Sequence, residues 1–157
     1  MIRQTLQTDS EALLAIVKDS GQFDENGLVH VEETLNNYLA GESDDLWLTA
    51  DDGEPVGVAY CAPEPVTDGT WNLLMLWTRS DRNGQGHGTA LVSHVENILN
   101  ERNVRLLVVE TSSLPNFAGA RAFYDKCGFT QEARIRNFFA AGDDKIVYTK
   151  SLRETAD

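Results

Sequence analysis

The stretch DRNGQGHGTALVSHVENIL, Asp81 to Leu99, sets three glycines at alternate positions, Gly84, Gly86 and Gly88, directly before a segment with helical apolar spacing. Glycine loses more backbone entropy on folding than any other residue, and it is kept where the dihedrals are unusual or where another group approaches the backbone closely. At the mouth of a helix, Ser or Asp would cap at lower cost. Three glycines there mark a loop that something comes close to. Behind it, Leu91, Val95, Ile98 and Leu99 form the inward stripe of a helix.

Working outward, Trp71 to Thr78 reads as a strand before the loop. Val104 to Glu110 is a nearly unbroken apolar run after the helix, which suits a central strand covered on both faces. Strand, glycine turn, helix and strand make a βαβ unit with a parallel pair. Upstream, Leu46 to Ala50 and Pro55 to Ala62 are strands joined by the turn Asp51-Asp52-Gly53-Glu54, so an antiparallel meander leads into the unit. Ile2 to Leu6 can form a first strand, and Thr8-Asp9-Ser10-Glu11 reads as a capping box opening a helix with Leu13, Ile16 and Val17 inward. Gly21 ends that helix, and Val31, Leu35, Tyr38 and Leu39 mark a second one that stops near Gly41.

Downstream, Ala120, Phe123, Tyr124 and Cys127 share one helical face, with Gly128 at the C-terminal cap. Phe129, Gln131, Ala133 and Ile135 alternate with polar residues, Asn137 to Asp144 reads as a loop, and Lys145 to Leu152 supplies the last strand. The order βααβββαβαββ predicts an α/β fold with a mixed central sheet. No repeat or linker divides residues 1–157, so one domain is expected.

A net charge of −12, spread along the chain, argues against a phosphate-backbone binder, which needs a cationic surface to displace counterions. No nucleic-acid partner is expected; an acidic field suits cationic small molecules or basic peptides, or simply solubility. Cys61 and Cys127 form no C-x-x-C pair and signal neither a disulfide framework nor a zinc site, so no metal is expected. The first residues, MIRQTLQTDSEALLAIV, have the pattern of neither a secretory signal nor a membrane span, and a cytoplasmic setting without a membrane partner is the expectation.

Consecutive main-chain N–H groups at the positive end of a helix dipole bind anions, phosphate above all. A Walker A loop requires G-x-x-x-x-G-K-[ST], but Thr89 follows Gly88 and no lysine is near. The dinucleotide fingerprint G-x-G-x-x-G would need glycine at position 89, and it would not follow an antiparallel meander. A third pattern, Gln or Arg, two residues, Gly, one residue, then Gly or Ala, is that of the acetyl-CoA loop in the GNAT acyltransferases. Asn83-Gly84-Gln85-Gly86-His87-Gly88 resembles it, with Asn83 where Gln or Arg is usual. The stretch Ala120 to Phe129, ARAFYDKCGF, resembles the family's helix signature A-x-x-[FL]-Y-x-K-x-G-F at every fixed position. The family's usual Asn would fall at Phe117, one residue beyond Asn116.

The resemblance implies a GNAT-like sheet with a splayed parallel strand pair, and acetyl-CoA as cosubstrate. It implies that the strand ending Leu76, Trp77 and Thr78 bonds the pantetheine through its backbone. Asn83, Gly84, Gln85, Gly86, His87, Gly88 and Thr89 would hold the pyrophosphate, with Arg79 or Arg82 as charge partner or merely solvated. Asn116 would touch the pantetheine arm. Tyr124 would protonate the departing thiolate, and Glu110 would take the amine proton directly or through water, or else only cap its strand. His30 would line the acceptor side. Phe138, Phe139 and Asp143 could receive a cationic amine through aromatic and charge contacts, or form a solvated turn. The activity implied is direct acetyl transfer to a primary amine of a small molecule. A peptide N-terminus or lysine as acceptor, and a non-catalytic acyl-CoA-binding module, are the alternatives. A homodimer is compatible, since dimers are common in the family.

Overall fold

Apolar residues that alternate along the strands serve two separate clusters, and these sandwich one sheet. In the computed structural model, which describes residues 1–153, the elements are β1 (Ile2–Gln4), α1 (Ser10–Asp19), α2 (Glu25–Leu39), β2 (Leu46–Asp51), β3 (Pro55–Pro63), β4 (Thr70–Thr78), α3 (His87–Glu101), β5 (Leu106–Ser112), α4 (Ala118–Lys126), β6 (Thr130–Ala140) and β7 (Asp143–Ser151). The order is the expected βααβββαβαββ. The strands form one sheet, β1-β2-β3-β4-β5-β7-β6, in which β4 and β5 are parallel and every other pair is antiparallel.

Leu13, Ile16 and Val17 of α1 and Val31 and Leu35 of α2 pack with Trp47, Val58 and Met75 on one face. Leu91, Val95 and Leu99 of α3 and Tyr124 of α4 pack with Leu46, Leu48, Leu107, Val109, Ile146 and Tyr148 on the other. Full burial of a side chain of this size contributes about 1.5–3 kcal/mol, so the two clusters clamp the sheet from both sides.

The parallel pair is short. Its register runs from Thr70 opposite Leu106 to Leu73 opposite Val109, although both strands continue beyond those residues. The cause lies on the other edge of β4. The β3–β4 register passes from Cys61 opposite Leu73 to Tyr60 opposite Met75, which leaves Leu74 as an extra residue, 49% exposed. A bulge bends its strand, so β4 swings away from β5 at that point and the sheet opens as a V.

Several local readings are corrected. The Thr8 to Glu11 capping box does not form: Gln7–Asp9 is a 3₁₀ turn, and the buried Asp9 carboxylate accepts from the Leu6 amide at 2.8 Å and from Arg3 at 2.6 and 2.9 Å. Asp9 is instead the residue before α1, its carboxylate turned back to Leu6 and Arg3, so the helix opens later than a box starting at Thr8 requires. The central strand starts at Leu106 and continues through Ser112, so Glu110 lies within it and does not end it. Asn137 to Ala140 belong to β6, leaving only Ala141 and Gly142 as the turn. Asn137 has φ +57°, its amide donates to Asp144 and its side-chain oxygen accepts from Gly142, so the hairpin end is kinked and ordered.

Candidate active site

The glycines of the opening stretch divide the work between them. Gly84 and Gly86 have φ of +77° and +83°, and a Cβ on either would meet no protein atom within 4 Å. They shape a loop whose inner side is open. Gly88 has ordinary dihedrals but carries the Phe123 ring, whose Cζ lies 3.4 Å from where a Cβ would sit. That contact ties the start of α3 to α4.

The main-chain amides from Gly84 to Thr89 find no acceptor among the described residues; the first helical bond is Ala90 to the Gly86 carbonyl. Helix starts leave such donors unfilled, and here the preceding loop adds more. Thr78 Oγ1 donates to Asn83 Oδ1 at 2.7 Å, tying the end of β4 to the loop. His87 lies tucked in, its side chain 16% exposed, with Nε2 4.0 Å from Asp52. Arg79 and Arg82 pair with acids of the β2–β3 turn and its neighbours: Arg79 with Glu54 at 3.0 Å and Asp81 at 2.6 Å, Arg82 with Asp52 at 2.6 Å.

Two cavities meet at the V. One, of about 750 Å³, is bordered by Asn83, Gly84 and Gly88, by Leu76 to Ser80 of β4 and the residues after it, and by Phe123 and Tyr124. Gln85, Gly86, His87 and Thr89 sit on the same loop without bordering it. The other, of about 480 Å³, is bordered by Leu73 to Trp77, Val109 to Ser112, Asn116, Phe117, Phe139 and Asp143. Leu76, Trp77, Ala120 and Tyr124 border both.

Tyr124 is held edge-on by Phe123 and Phe129, with ring centroids at 5.4 and 5.7 Å, and tilted against Tyr148 at 5.9 Å. It is 8% exposed and borders both cavities. Burial pushes the phenol's proton affinity up.

Glu110 borders the smaller cavity and is paired with Lys145, Nζ to Oε1 at 3.0 Å. The same ammonium lies 4.2 Å from the centroid of Phe138. Asp143 accepts a hydrogen bond from the Ser112 hydroxyl. Phe139 and Asp143 therefore face the cavity with Glu110, whereas Phe138 is engaged by Lys145 and does not border it. His30 is exposed on α2 and borders neither cavity. The sequence carries no local signal for Phe23, Leu114 or Lys145: Phe23 and Leu114 lie in connections without periodicity, and the placement of Lys145 follows from strand register. No helix among the described residues is long and apolar enough to cross a membrane, and no cluster of His, Cys, Asp or Glu among them could hold a metal.

An open V between parallel strands, beside a helix-start loop of unfilled amides and a buried tyrosine, is the architecture of an acyl-coenzyme A-dependent transferase. A family model for the acetyltransferase (GNAT) family matches residues 11–129. The chain belongs to the GNAT acetyltransferases, and it is an acetyl-CoA-dependent acyltransferase. Among solved structures, a protein from Desulfovibrio desulfuricans assigned to the GNAT acetyltransferases is similar at 28% identity and TM-score 0.90, covering 98% of this chain and 99% of its own. An aminoglycoside 6'-N-acetyltransferase complexed with coenzyme A shares the fold at 18% identity and TM-score 0.82, covering 100% and 99%. A ribosomal-protein-alanine N-acetyltransferase from Brucella melitensis does so at 23% identity and TM-score 0.78, covering 96% and 99%. No curated protein matches the sequence.

The residues fit the coenzyme. Six successive amides without internal acceptors suit a diphosphate, and the free edge of β4 beyond Leu73 suits an arm with amide groups of its own.

Proposed function

We propose that the protein transfers the acetyl group of acetyl-CoA directly to a primary amine of a small molecule. The observation that carries this reading is Tyr124, a buried phenol bordering both cavities. Acetyl-CoA supplies an acyl carbon activated as a thioester. In this reading the amides of Gly84 to Thr89 grip the diphosphate, while Asn83 holds the loop to Thr78. The edge of β4 from Leu76 to Thr78 bonds the pantetheine arm and turns an N–H toward the thioester oxygen, where negative charge grows. Asn116 borders the same cleft and contacts the arm from the α4 side.

Tyr124 donates its proton to the departing sulfur. Burial keeps that proton on the phenol at neutral pH, so the acid is loaded when it is needed. Glu110 receives the amine proton, directly or through water, and Lys145 fixes its carboxylate at the cavity wall. Phe139 and Asp143 border the acceptor. Residues 1–157 act as one unit in a reducing cytoplasm; Cys61 and Cys127 are both free.

A thiol-release assay with acetyl-CoA over a panel of small amines and of peptides bearing free N-termini and lysines tests the reading. Release with a small amine supports it. Release with peptides alone replaces it with a protein-modifying activity.

A further inference from the structure

The strand register sets Lys145 against the carboxylate that a substrate charge would seek, an inference that rests on acetyl transfer to small amines. In the β5–β7 ladder, Ser112 lies opposite Lys145 and Glu110 opposite Val147. Directly opposed residues project to the same face, so Glu110, Ser112 and Lys145 share one side of the sheet. There the Lys145 ammonium lies 3.0 Å from Glu110 and 4.2 Å from the Phe138 ring centroid. A carboxylate and an aromatic face are the two partners that an incoming ammonium would seek. The chain's own ammonium holds both, and because neither Lys145 nor Phe138 borders the cavity, it meets Glu110 from behind the wall.

The rest of the acceptor cavity is largely apolar, with Phe23, Leu74, Leu114, Phe117 and Phe139 along it. Glu110 and Asp143 are its carboxylates, and Lys145 cancels one of them. A single ammonium is therefore matched by Asp143, whose only partner among the described residues is the Ser112 hydroxyl. A second ammonium would be stripped of water against apolar side chains, with no free carboxylate to receive it.

We propose that Lys145 is a resident cation that cancels the charge of Glu110 at the cavity wall, and thereby selects acceptors carrying one amine on an apolar body. Lys145 is then a specificity-determining residue that acts by neutralising Glu110.

Hexylamine and 1,6-diaminohexane differ only in the second charge. With the wild-type protein, kcat/KM for hexylamine is expected to exceed that for the diamine about tenfold, with the difference in KM. Lys145→Met keeps an unbranched side chain and removes the charge, and should bring the ratio down about fivefold or more by lowering KM for the diamine. Phe138 is 51% exposed, so Phe138→Leu should fold even where Lys145→Met does not, and should lower the ratio about twofold. Taking the ratio within one protein cancels any effect on the chemical step, and calorimetry with acetyl-CoA checks that each variant is intact. A wild-type protein that prefers the diamine, or a ratio that no variant changes, overturns the role of Lys145 while leaving acetyl transfer standing. Acetyl-CoA binding without acetylation of either amine or of any other small amine overturns the proposed transfer, and this inference with it.

Discussion

At the end of the V proposed for the coenzyme, binding capacity resides in main-chain groups: the amides of Gly84 to Thr89 have no acceptor among the described residues, and β4 beyond Leu73 has left its parallel neighbour. At the end proposed for the acceptor, side chains already answer one another, Glu110 with Lys145, Lys145 with Phe138, and Ser112 with Asp143. The first region is open and gains partners when an anion arrives. The second is satisfied beforehand and admits what does not disturb its pairs. Coenzyme affinity should thus depend on backbone shape, and acceptor choice on side-chain charge.

Backbone substitution at the open end has the largest expected effect. Gly86→Val forces a β-branched residue to φ +83° and fills the open side of the loop, although no protein atom lies within 4 Å of the added Cβ. Acetyl-CoA binding measured by calorimetry should weaken about a hundredfold, about 2.8 kcal/mol. Unchanged affinity would place the coenzyme grip elsewhere.

Next comes the residue shared by both ends. Tyr124→Phe removes one oxygen and preserves the ring contacts, so turnover should fall about tenfold or more while acetyl-CoA affinity stays within about twofold. Parallel loss of both would make Tyr124 a packing residue.

A pair outside the V calibrates how much a satisfied charge is worth. Arg3 holds the Asp9 carboxylate below its ordinary range, against the cost of burying it. A depressed folded value means that the stabilisation is complete above the unfolded value of about 4 and is lost as pH falls through the folded one. Asp9→Asn should lower stability by about 1 kcal/mol at neutral pH, with the deficit shrinking in acid, and should leave acetyl-CoA binding unchanged. Chemical denaturation at neutral and acid pH reads both.

The smallest effect is an absence of change. Burial raises the Tyr124 phenol above the ordinary tyrosine value of about 10, so its protonated form persists into alkaline solution. The kcat profile should fall less than about twofold between about pH 7.5 and pH 9. A steep alkaline fall in the wild-type protein that disappears in Tyr124→Phe would contradict the raised value.

The comparison also explains what could be read from the sequence. Gly84, Gly86 and Gly88 stand out because side chains are missing, and Ala120 to Phe129 because its spacing is local, so the end proposed for the coenzyme is legible in contiguous residues. The element order followed from periodicity in the same way. The acceptor end is assembled from distant strands: nothing near Lys145 in sequence shows that β5–β7 register sets it beside Glu110. Leu74 reads as an ordinary apolar strand residue, and only its register against β3 exposes the bulge that opens the V. The end of β6 reads as a loop because the strand is exposed throughout, and no buried face imposes an alternation there.

Titration of the isotopically labelled wild-type protein with acetyl-CoA, followed through its amide resonances, tests the central claim most directly. The account predicts saturable shifts that are largest at the amides of Gly84 to Thr89, together with the indole and amide signals of Trp77. Saturable binding that leaves those loop amides unmoved, or no binding at all, would contradict it.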